Sequence, residues 1–315
     1  MRFVVAFVFA ALLVFAGPAR ADWPTKPVHI VVTFAPGGAA DIWARLIADP
    51  LSKALGQSVV IENRGGGGGT IAALQVARAE PDGYTILMGG LGPQILAPAT
   101  VSNPGFDGVK DFTHIAYIGG PPITWVVQPS STLHSVADVI AAAKAGQFSG
   151  YASAGVGTLG QLVVEYVATK NGLKLTHIPY NTAAFADILA GRVPMGSFTW
   201  GAALPQLQGG TLRALAVTTE TRRSEVPDIP TFKELGYDLV ASTWFSLSGP
   251  KGMPKEATDR LNKGVIRVLA SPALQPKLAR DAFDPKPMTP EQLTAYMASE
   301  TARWAPIARA AGTKK

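Results

Sequence analysis

Alternation of short apolar runs with helical patterns is the feature that most constrains the fold of this chain. The run at 28–34, VHIVVTF, leads through the glycine turn APGG into the helical pattern ADIWARLIADPLSKALG, and a second apolar run, SVVIEN, follows. The same order recurs in TIAALQVARAEPDGYTILMG. Because strands that alternate with helices form βαβ units, this pattern predicts an α/β fold with largely parallel strands.

Two apolar stretches bounded by proline or glycine divide the chain. PPITWVVQPS, near 121–129, leads into a second α/β series, and LVASTWFSLSGP, at 239–250, leads into segments with helical patterns only. We interpret both stretches as crossings between two lobes, with a hinge and a cleft between them. The predicted division is lobe 1 at 22–122 and 248–315 and lobe 2 at 123–247, with the C-terminal helices packed back on lobe 1. Ligands of open α/β sheets bind at the carboxyl ends of strands, so the loops there are expected to face the cleft.

The first residues have the pattern of a secretory signal peptide. Arg2 is followed by the apolar run FVVAFVFAALLVF and then by Ala19-Arg20-Ala21, a small-residue cleavage pattern. The apolar run is shorter than the ~20 residues that an ordinary transmembrane helix needs. The sequence therefore predicts a signal peptide at 1–21, cleaved after Ala21, and an exported mature chain.

Composition excludes several classes of function. Cleavage would remove two of the 28 basic residues against 22 acidic ones, so the formal net charge falls from +6 to +4. The remaining basic residues are scattered, which argues against a nucleic-acid partner. The absence of cysteine excludes disulfides and thiolate metal ligands. The chain has neither histidine pairs at metal-ligand spacing nor a G-x-S-x-G nucleophile motif. We therefore expect a binding protein without a metal or cofactor. We also expect it to be a monomer.

The first glycine loop follows the run at 28–34. Its glycines place backbone N–H groups beside a helix start, where the helix dipole attracts anions, although a tight turn without a ligand would have the same pattern. The candidate binding residues are Phe34, Ala35, Pro36, Gly37, Gly38 and Ala39. Asp41 lies in the first helical turn, and a carboxylate facing the site would repel an anion. We therefore expect Asp41 to stand behind the site.

The second glycine loop, SAGVGTLG at 153–160, has the G-x-G-x-x-G spacing of a dinucleotide-binding loop. A short, polar segment precedes it, and no acidic residue lies between Glu165 and Asp187 to hold a ribose, so the dinucleotide interpretation fails. An anion-binding turn is favoured instead, formed by Ser153, Ala154, Gly155, Val156, Gly157 and Thr158. The glycine run at 65–69 lacks the following Gly-Lys-Ser/Thr of a Walker A loop. It is expected to give a left-handed or close-packed entry into the next helix, with a flexible surface loop as the alternative.

Several motifs together resemble the substrate-binding proteins of tripartite tricarboxylate transporters, the Bug family. They are PGGxxD, ENRxGxxGT, PDGYT and VPDIPT, together with YASAGVGT and HIPYNTAA, and they span nearly the whole mature chain. The resemblance implies a periplasmic, two-lobed type II binding protein that delivers a small organic acid to membrane permease subunits. It also implies that loop amides and hydroxyls hold the carboxylate, at 34–39, at 153–158, and at Tyr180, Asn181, Thr182 and Ala183.

One departure from the family pattern concerns the stretch GSFTW at 196–200, where relatives often carry an aspartate at the position of Phe198. If Phe198 faces the cleft, the ligand is expected to combine a carboxylate with an apolar or aromatic body. The alternative is that Phe198 and Trp200 pack in the core of lobe 2, as Trp43, Trp125 and Trp244 could in theirs. Two further functions stay open: a secreted enzyme acting on a small acid, and a ligand-sensing binding protein.

Overall fold

The computed structural model describes residues 22–101, 103–180 and 184–312, and ten strands in this part of the chain form two five-stranded sheets. The predicted signal peptide and Asn181, Thr182 and Ala183 lie outside the described residues. The strands are β1 (Val28–Val32), β2 (Val59–Asn63), β3 (Thr85–Gly90), β4 (Phe112–Gly119), β5 (Ile123–Val127), β6 (Gly150–Ser153), β7 (Thr176–Pro179), β8 (Gly196–Thr199), β9 (Arg213–Val217) and β10 (Phe245–Pro250).

Helices follow most of these strands. They are α1 (Ala39–Leu55), α2 (Thr70–Ala77), α3 (Ala97–Ala99), α4 (Val136–Lys144), α5 (Leu159–Lys170), α6 (Phe185–Leu189), α7 (Trp200–Gln208), α8 (Lys255–Leu269), α9 (Gln275–Asp281) and α10 (Pro290–Gly312). A turn of 3-10 helix, Gly67–Gly69, precedes α2, and a π-helical segment, Leu91–Leu96, precedes α3. No helix in the described ranges combines the length and the apolar character needed to cross a membrane.

The two sheets repeat one plan. The first has the order β2-β1-β3-β10-β4 and the second the order β7-β6-β8-β5-β9. In the first, β1 runs parallel to β2 and β3, and in the second, β6 runs parallel to β7 and β8. The fourth strand of each order, β10 or β5, is antiparallel to both neighbours. The predicted two-lobed α/β fold is confirmed, and β1 and β6 occupy equivalent positions in it.

Each antiparallel strand is reached by a crossing between the lobes. The chain leaves the first sheet after β4 and enters the second at Ile123, and it returns to the first at Phe245. The crossing segments lie side by side, since the Thr243 amide donates to the Pro121 carbonyl at 2.8 Å. Because β10 belongs as a whole to the first sheet, the predicted boundary between 247 and 248 falls inside a strand. The return crossing instead precedes Phe245.

Tryptophans fill the cores of both lobes. Trp43 stacks on Phe283 with ring centroids 4.1 Å apart, and Trp125 meets Phe232 edge-on at 5.0 Å. Trp43, Trp125, Trp200 and Trp244 are all less than 2% exposed. These side chains therefore pack in the hydrophobic cores, which was the alternative to a position in the cleft.

The C-terminal helix α10 does not pack on lobe 1 alone, contrary to the sequence-based expectation. It contacts β4 of the first sheet and also α5 beside the second sheet, and Trp304 joins a hydrophobic cluster that contains residues of both lobes. Glu300 accepts hydrogen bonds from the indole nitrogens of Trp244 at 3.0 Å and Trp304 at 3.2 Å. A helix of 23 residues is roughly 35 Å long at 1.5 Å per residue, so it reaches across both lobes.

Candidate ligand-binding site

A cavity of about 450 Å³ lies between the two lobes, where the loops at the carboxyl ends of the parallel strands meet. From lobe 1 it is lined by Phe34, Gly66, Gly68, Gly69, Leu91, Gly92, Leu96 and Ala97. From lobe 2 and the crossing it is lined by Ile123, Ala154, Gly155, Val156, Gly157, Thr158, Leu159, Gly160, Ser197, Phe198, Thr199 and Thr243. Among these described lining residues none carries a charged side chain.

Three helices begin at this cavity. Thr158 is the N-cap of α5, Thr199 that of α7 and Gly69 that of α2, and all three residues line the cavity. The first N–H groups of a helix have no partner within the helix, and the dipole makes that end positive. The cavity can therefore stabilise an anion without a lysine or arginine side chain.

The second glycine loop lines the cavity along most of its length. Of its six predicted residues, the five from Ala154 to Thr158 are lining residues, whereas Ser153 is fully buried behind them. Hydrogen bonds join Ser153 Oγ to His177 Nε2 at 2.7 Å and to Thr158 Oγ1 at 3.3 Å. Thr158 Oγ1 also donates to the Gly155 carbonyl at 2.8 Å. The loop is thus held in shape by its own hydroxyl groups.

The first glycine loop is placed differently. Phe34 lines the cavity, but the residues at 35–39 are not among its lining residues. The Gly37 amide donates to Asp41 Oδ2 at 2.9 Å, and the Gly38 amide to the Ala35 carbonyl at 3.4 Å. The Gly37 and Gly38 amides therefore already have partners within the protein, as the Gly155 and Gly157 amides of the second loop also do. The two loops differ in their position relative to the cavity.

The side chain of Asp41 accepts three hydrogen bonds, one of them from the first glycine loop. Its Oδ1 accepts from Arg45 Nε at 3.0 Å and from Asn63 Nδ2 at 2.9 Å, in addition to the Gly37 amide on Oδ2. The Arg45 hydrogen bond, helped by those of Gly37 and Asn63 and opposed by burial, lowers the pKa of Asp41 to about 2. Asp41 is therefore a carboxylate at neutral pH, and it is not among the residues that line the cavity.

The glycine run at 65–69 contributes to the lobe 1 wall of the cavity, where the residues at 35–39 were predicted to lie. Gly66, Gly67, Gly68 and Gly69 have φ values of 121°, 57°, 65° and 94°, which confirms the left-handed entry into α2. A Cβ at Gly69 would lie 2.7 Å from the Pro93 Cβ, so the close packing also requires glycine. The glycine run was not predicted to be part of the site, although it follows the carboxyl end of β2, as the two predicted loops follow β1 and β6.

Apolar side chains form the rest of the wall. Leu91, Leu96 and Ala97 line it from the segment after β3, a stretch whose ordinary apolar composition offered no signal in the sequence. Phe198 lines the cavity from lobe 2, is only 2% exposed and packs edge-on against Phe185 at 5.2 Å. Trp200 is fully buried and is not among the lining residues. Phe198 therefore contributes both to the core of lobe 2 and to the cavity wall, whereas Trp200 contributes to the core alone.

Polar groups of the cavity come from lobe 2 and the crossing. Besides Thr158, the hydroxyl side chains are those of Ser197, Thr199 and Thr243, which sequence analysis did not select. Tyr180, which it did select, is not a lining residue, and its hydroxyl donates to Asp187 Oδ2 at 2.5 Å. Among the described residues no group of three or more His, Asp or Glu side chains could hold a metal ion.

A two-lobed α/β fold with one cavity wall from each lobe is typical of solute-binding proteins. Comparison with known proteins places the chain within that class. A model of the tripartite tricarboxylate transporter family receptor matches residues 43–313, so the chain belongs to this family. The resemblance drawn from the sequence motifs is confirmed.

Individual relatives agree with this assignment. BugT of Bordetella pertussis is 33% identical over 314 residues, covering 98% of this chain and 96% of BugT. The structure of periplasmic binding protein BugD is 33% identical with a TM-score of 0.78, covering 92% of this chain and 99% of BugD. R. palustris Rpa4515 with adipate is 35% identical with a TM-score of 0.81, covering 92% and 99%. MatC from Rhodopseudomonas palustris with bound malate is 28% identical with a TM-score of 0.79, covering 91% and 100%.

Proposed function

We propose that this protein captures a small organic carboxylate in the periplasm and presents it to the permease subunits of a tripartite tricarboxylate-type transporter. The observation that carries the proposal is a cavity between two lobes with three helix N-termini and no charged lining side chain. The structures of the related proteins Rpa4515 and MatC are those with adipate and with bound malate, respectively, which supports a carboxylate ligand. Export through the signal peptide at 1–21, with cleavage after Ala21, and a monomeric state complete the proposal.

The ligand we propose has a carboxylate at one end and an apolar body. Thr158, Ser197 and Thr199 place hydroxyls on the lobe 2 side, at two helix starts, whereas lobe 1 contributes Leu91, Leu96, Phe34 and glycine backbone. A second charged group lying against Leu91 and Leu96, rather than at the start of α2, would lose hydration without gaining a partner, and this costs free energy. A volume of about 450 Å³ lies within the usual range for small-molecule sites.

The mechanism we propose is a shift in population between open and closed forms. The carboxylate first binds the loop at 153–158 and the starts of α5 and α7. Its apolar body then contacts lobe 1, and rotation about the paired crossings closes the cleft. The closed form, which buries the ligand between Phe34 and Phe198, is the one that the permease recognises. No bond in the ligand is made or broken in this cycle.

Thermal unfolding of the purified mature protein, residues 22–315, tests the ligand class. Hexanoate, benzoate, adipate and malate are added in turn, because a ligand that binds only the folded state raises the unfolding temperature. We expect hexanoate or benzoate to give the largest shift. A response to malate alone contradicts the apolar body, and no response to any carboxylate contradicts carboxylate capture.

The same samples distinguish a binding protein from an enzyme. We expect NMR of the supernatant to show the bound carboxylate unchanged after prolonged incubation with the protein. Any conversion of the carboxylate would instead establish the secreted enzyme. Loss of uptake of that carboxylate when the permease is deleted distinguishes transport from a sensing role.

A further inference from the structure

One hydroxyl in the cavity wall stands apart from the others because it is buried without a partner. Ser197 is fully buried in β8, and its Oγ has no hydrogen-bond partner among the described residues. The residue also lines the cavity. A buried hydroxyl that makes no hydrogen bond is unfavourable, so native structures rarely keep one without a reason.

The surroundings of Ser197 place it at the junction of two helix starts. β8 is the middle strand of the second sheet, where Ser197 is paired with Ser153 on β6 and Trp125 on β5. The first turn of α5 passes directly over it, since a Cβ at Gly160 would lie 2.5 Å from the Ser197 carbonyl oxygen. Thr199, the N-cap of α7, lies two residues further along β8 and therefore on the same face.

The hydroxyls of Ser153 and Thr158 are already engaged. Ser153 Oγ is bonded to His177 Nε2 at 2.7 Å and accepts from the Gly155 amide at 3.2 Å. Thr158 Oγ1 donates to the Gly155 carbonyl at 2.8 Å and accepts from the Gln161 amide at 3.4 Å. Of these three side chains at the start of α5, Ser197 is therefore the one with an uncommitted donor.

We propose that Ser197 is a specificity-determining residue whose Oγ donates a hydrogen bond to the ligand carboxylate. The inference rests on the proposed carboxylate-binding function and adds the position of the carboxylate, at the junction of α5 and α7 on the lobe 2 side. A hydrogen bond from a hydroxyl to a charged acceptor is among the stronger side-chain contacts. The ligand thus satisfies the hydroxyl that the folded chain leaves without a partner.

A matched pair of serine variants tests this role. Ser246 is also fully buried in a strand, with an Oγ that has no partner among the described residues, but it lies in the first sheet and does not line the cavity. We expect Ser197→Ala to weaken hexanoate binding about tenfold to a hundredfold in isothermal titration, as loss of a hydrogen bond to a charged group does. Ser246→Ala is expected to leave the hexanoate Kd unchanged.

Stability measurements separate a lost contact from a damaged fold. Without hexanoate, Ser197→Ala is expected to unfold at the wild-type temperature or above it, because it removes an unsatisfied polar group. If Ser197→Ala does not fold, Ser197→Cys replaces it, since its thiol is a similar-sized but weak donor, and the same loss of affinity is expected.

Three outcomes overturn the inference. Hexanoate affinity of Ser197→Ala within twofold of wild type overturns the role of Ser197 and leaves the proposed function standing. An equal loss in Ser246→Ala does the same, because the effect then belongs to the core. Failure of the wild-type protein to bind any of hexanoate, benzoate, adipate and malate overturns the proposed function itself, and the role of Ser197 with it.

Discussion

The loops at 34–39 and 153–158 occupy equivalent positions in the two lobes, after β1 and β6. Both pass through a glycine of positive φ, 82° at Gly37 and 74° at Gly157. Both glycine amides are bound by the side chain four residues later, Asp41 at 2.9 Å and Gln161 at 2.7 Å. The two loops therefore share the same backbone arrangement, but they differ in the charge of the side chain that accepts from the glycine amide.

The difference in charge between Asp41 and Gln161 agrees with the positions of the two loops relative to the cavity. The carboxylate of Asp41 stands at the start of α1 and already complements its dipole, so an anionic ligand there would meet a negative charge. Gln161 is neutral and does not compensate the positive end of the α5 dipole, which can therefore interact with a ligand in the cavity. The loop backed by Gln161 lines the cavity along most of its length, and the loop backed by Asp41 contributes only Phe34. A glycine loop at a helix start is thus not sufficient to predict that the loop lines the cavity.

The largest effect is expected from Gly157→Val. Valine strongly disfavours positive φ, so backbone strain would displace the loop that lines the cavity, even though the Cβ itself would have no protein atom within 4 Å. We expect carboxylate affinity to fall at least about a hundredfold, measured by isothermal titration. Gly37→Val, with a similar strain, is the matched control and is expected to lower stability more than affinity. Equal loss of binding in both variants would show that the first loop also contacts the ligand.

Exchange of the charge behind the second loop tests the electrostatic part of the comparison. Gln161→Glu keeps the shape of the side chain and copies the charge that Asp41 gives the first loop. We expect carboxylate binding to weaken about tenfold or more at pH 7, because like charges then face each other at a helix start. Asp41→Asn, the opposite exchange in lobe 1, is expected to leave affinity within about twofold. Unchanged binding in Gln161→Glu would remove charge as the explanation.

Asp41 is also expected to make stability depend on pH. Its folded-state pKa is lowered from 3.8 to about 2, so its stabilising effect is complete above pH 4 and is lost as the pH falls toward 2. Asp41→Asn should therefore be less stable than wild type at pH 7 by on the order of 1 kcal/mol, since the Arg45 partner is exposed to solvent. Urea unfolding at pH 7 and pH 3 measures this gap, which should narrow at the lower pH. A gap that is the same at both pH values would contradict the predicted protonation.

A smaller effect is expected from Thr158→Ala. This change removes the N-cap hydroxyl of α5 and its bond to the Gly155 carbonyl, so stability should fall by about 1 kcal/mol and carboxylate affinity severalfold. Ser135 caps α4 in the same way, through the Asp138 amide at 3.1 Å, but does not line the cavity. Ser135→Ala should therefore lose similar stability in urea unfolding without losing affinity. If both variants lose affinity equally, the cap rather than its position in the cleft is responsible.

The site could be predicted in part from local sequence. The loop at 153–158 was found because its glycines and hydroxyls stand at a helix start, and five of its six residues line the cavity. The residues at 35–39 carry the same local signal, but they do not line the cavity. The Gly37 amide is bound by the charged side chain of Asp41, whereas the equivalent Gly157 amide is bound by the neutral Gln161. Leu91, Leu96 and Ser197 carried no local signal at all, since buried leucine and serine in or near strands are common in any α/β core.

The sequence by itself determined the alternation of strands and helices, the two lobes and the family, because these depend on periodicity and on motifs that are read along the chain. Only the tertiary structure decided which glycine loop faces the cavity, that α10 reaches both lobes, and that Ser197 lies beneath the start of α5. These features depend on which side chains capture backbone donors and on how two crossings bring distant strand ends together. Both are contacts through space, and residues far apart in the chain make them only after it has folded.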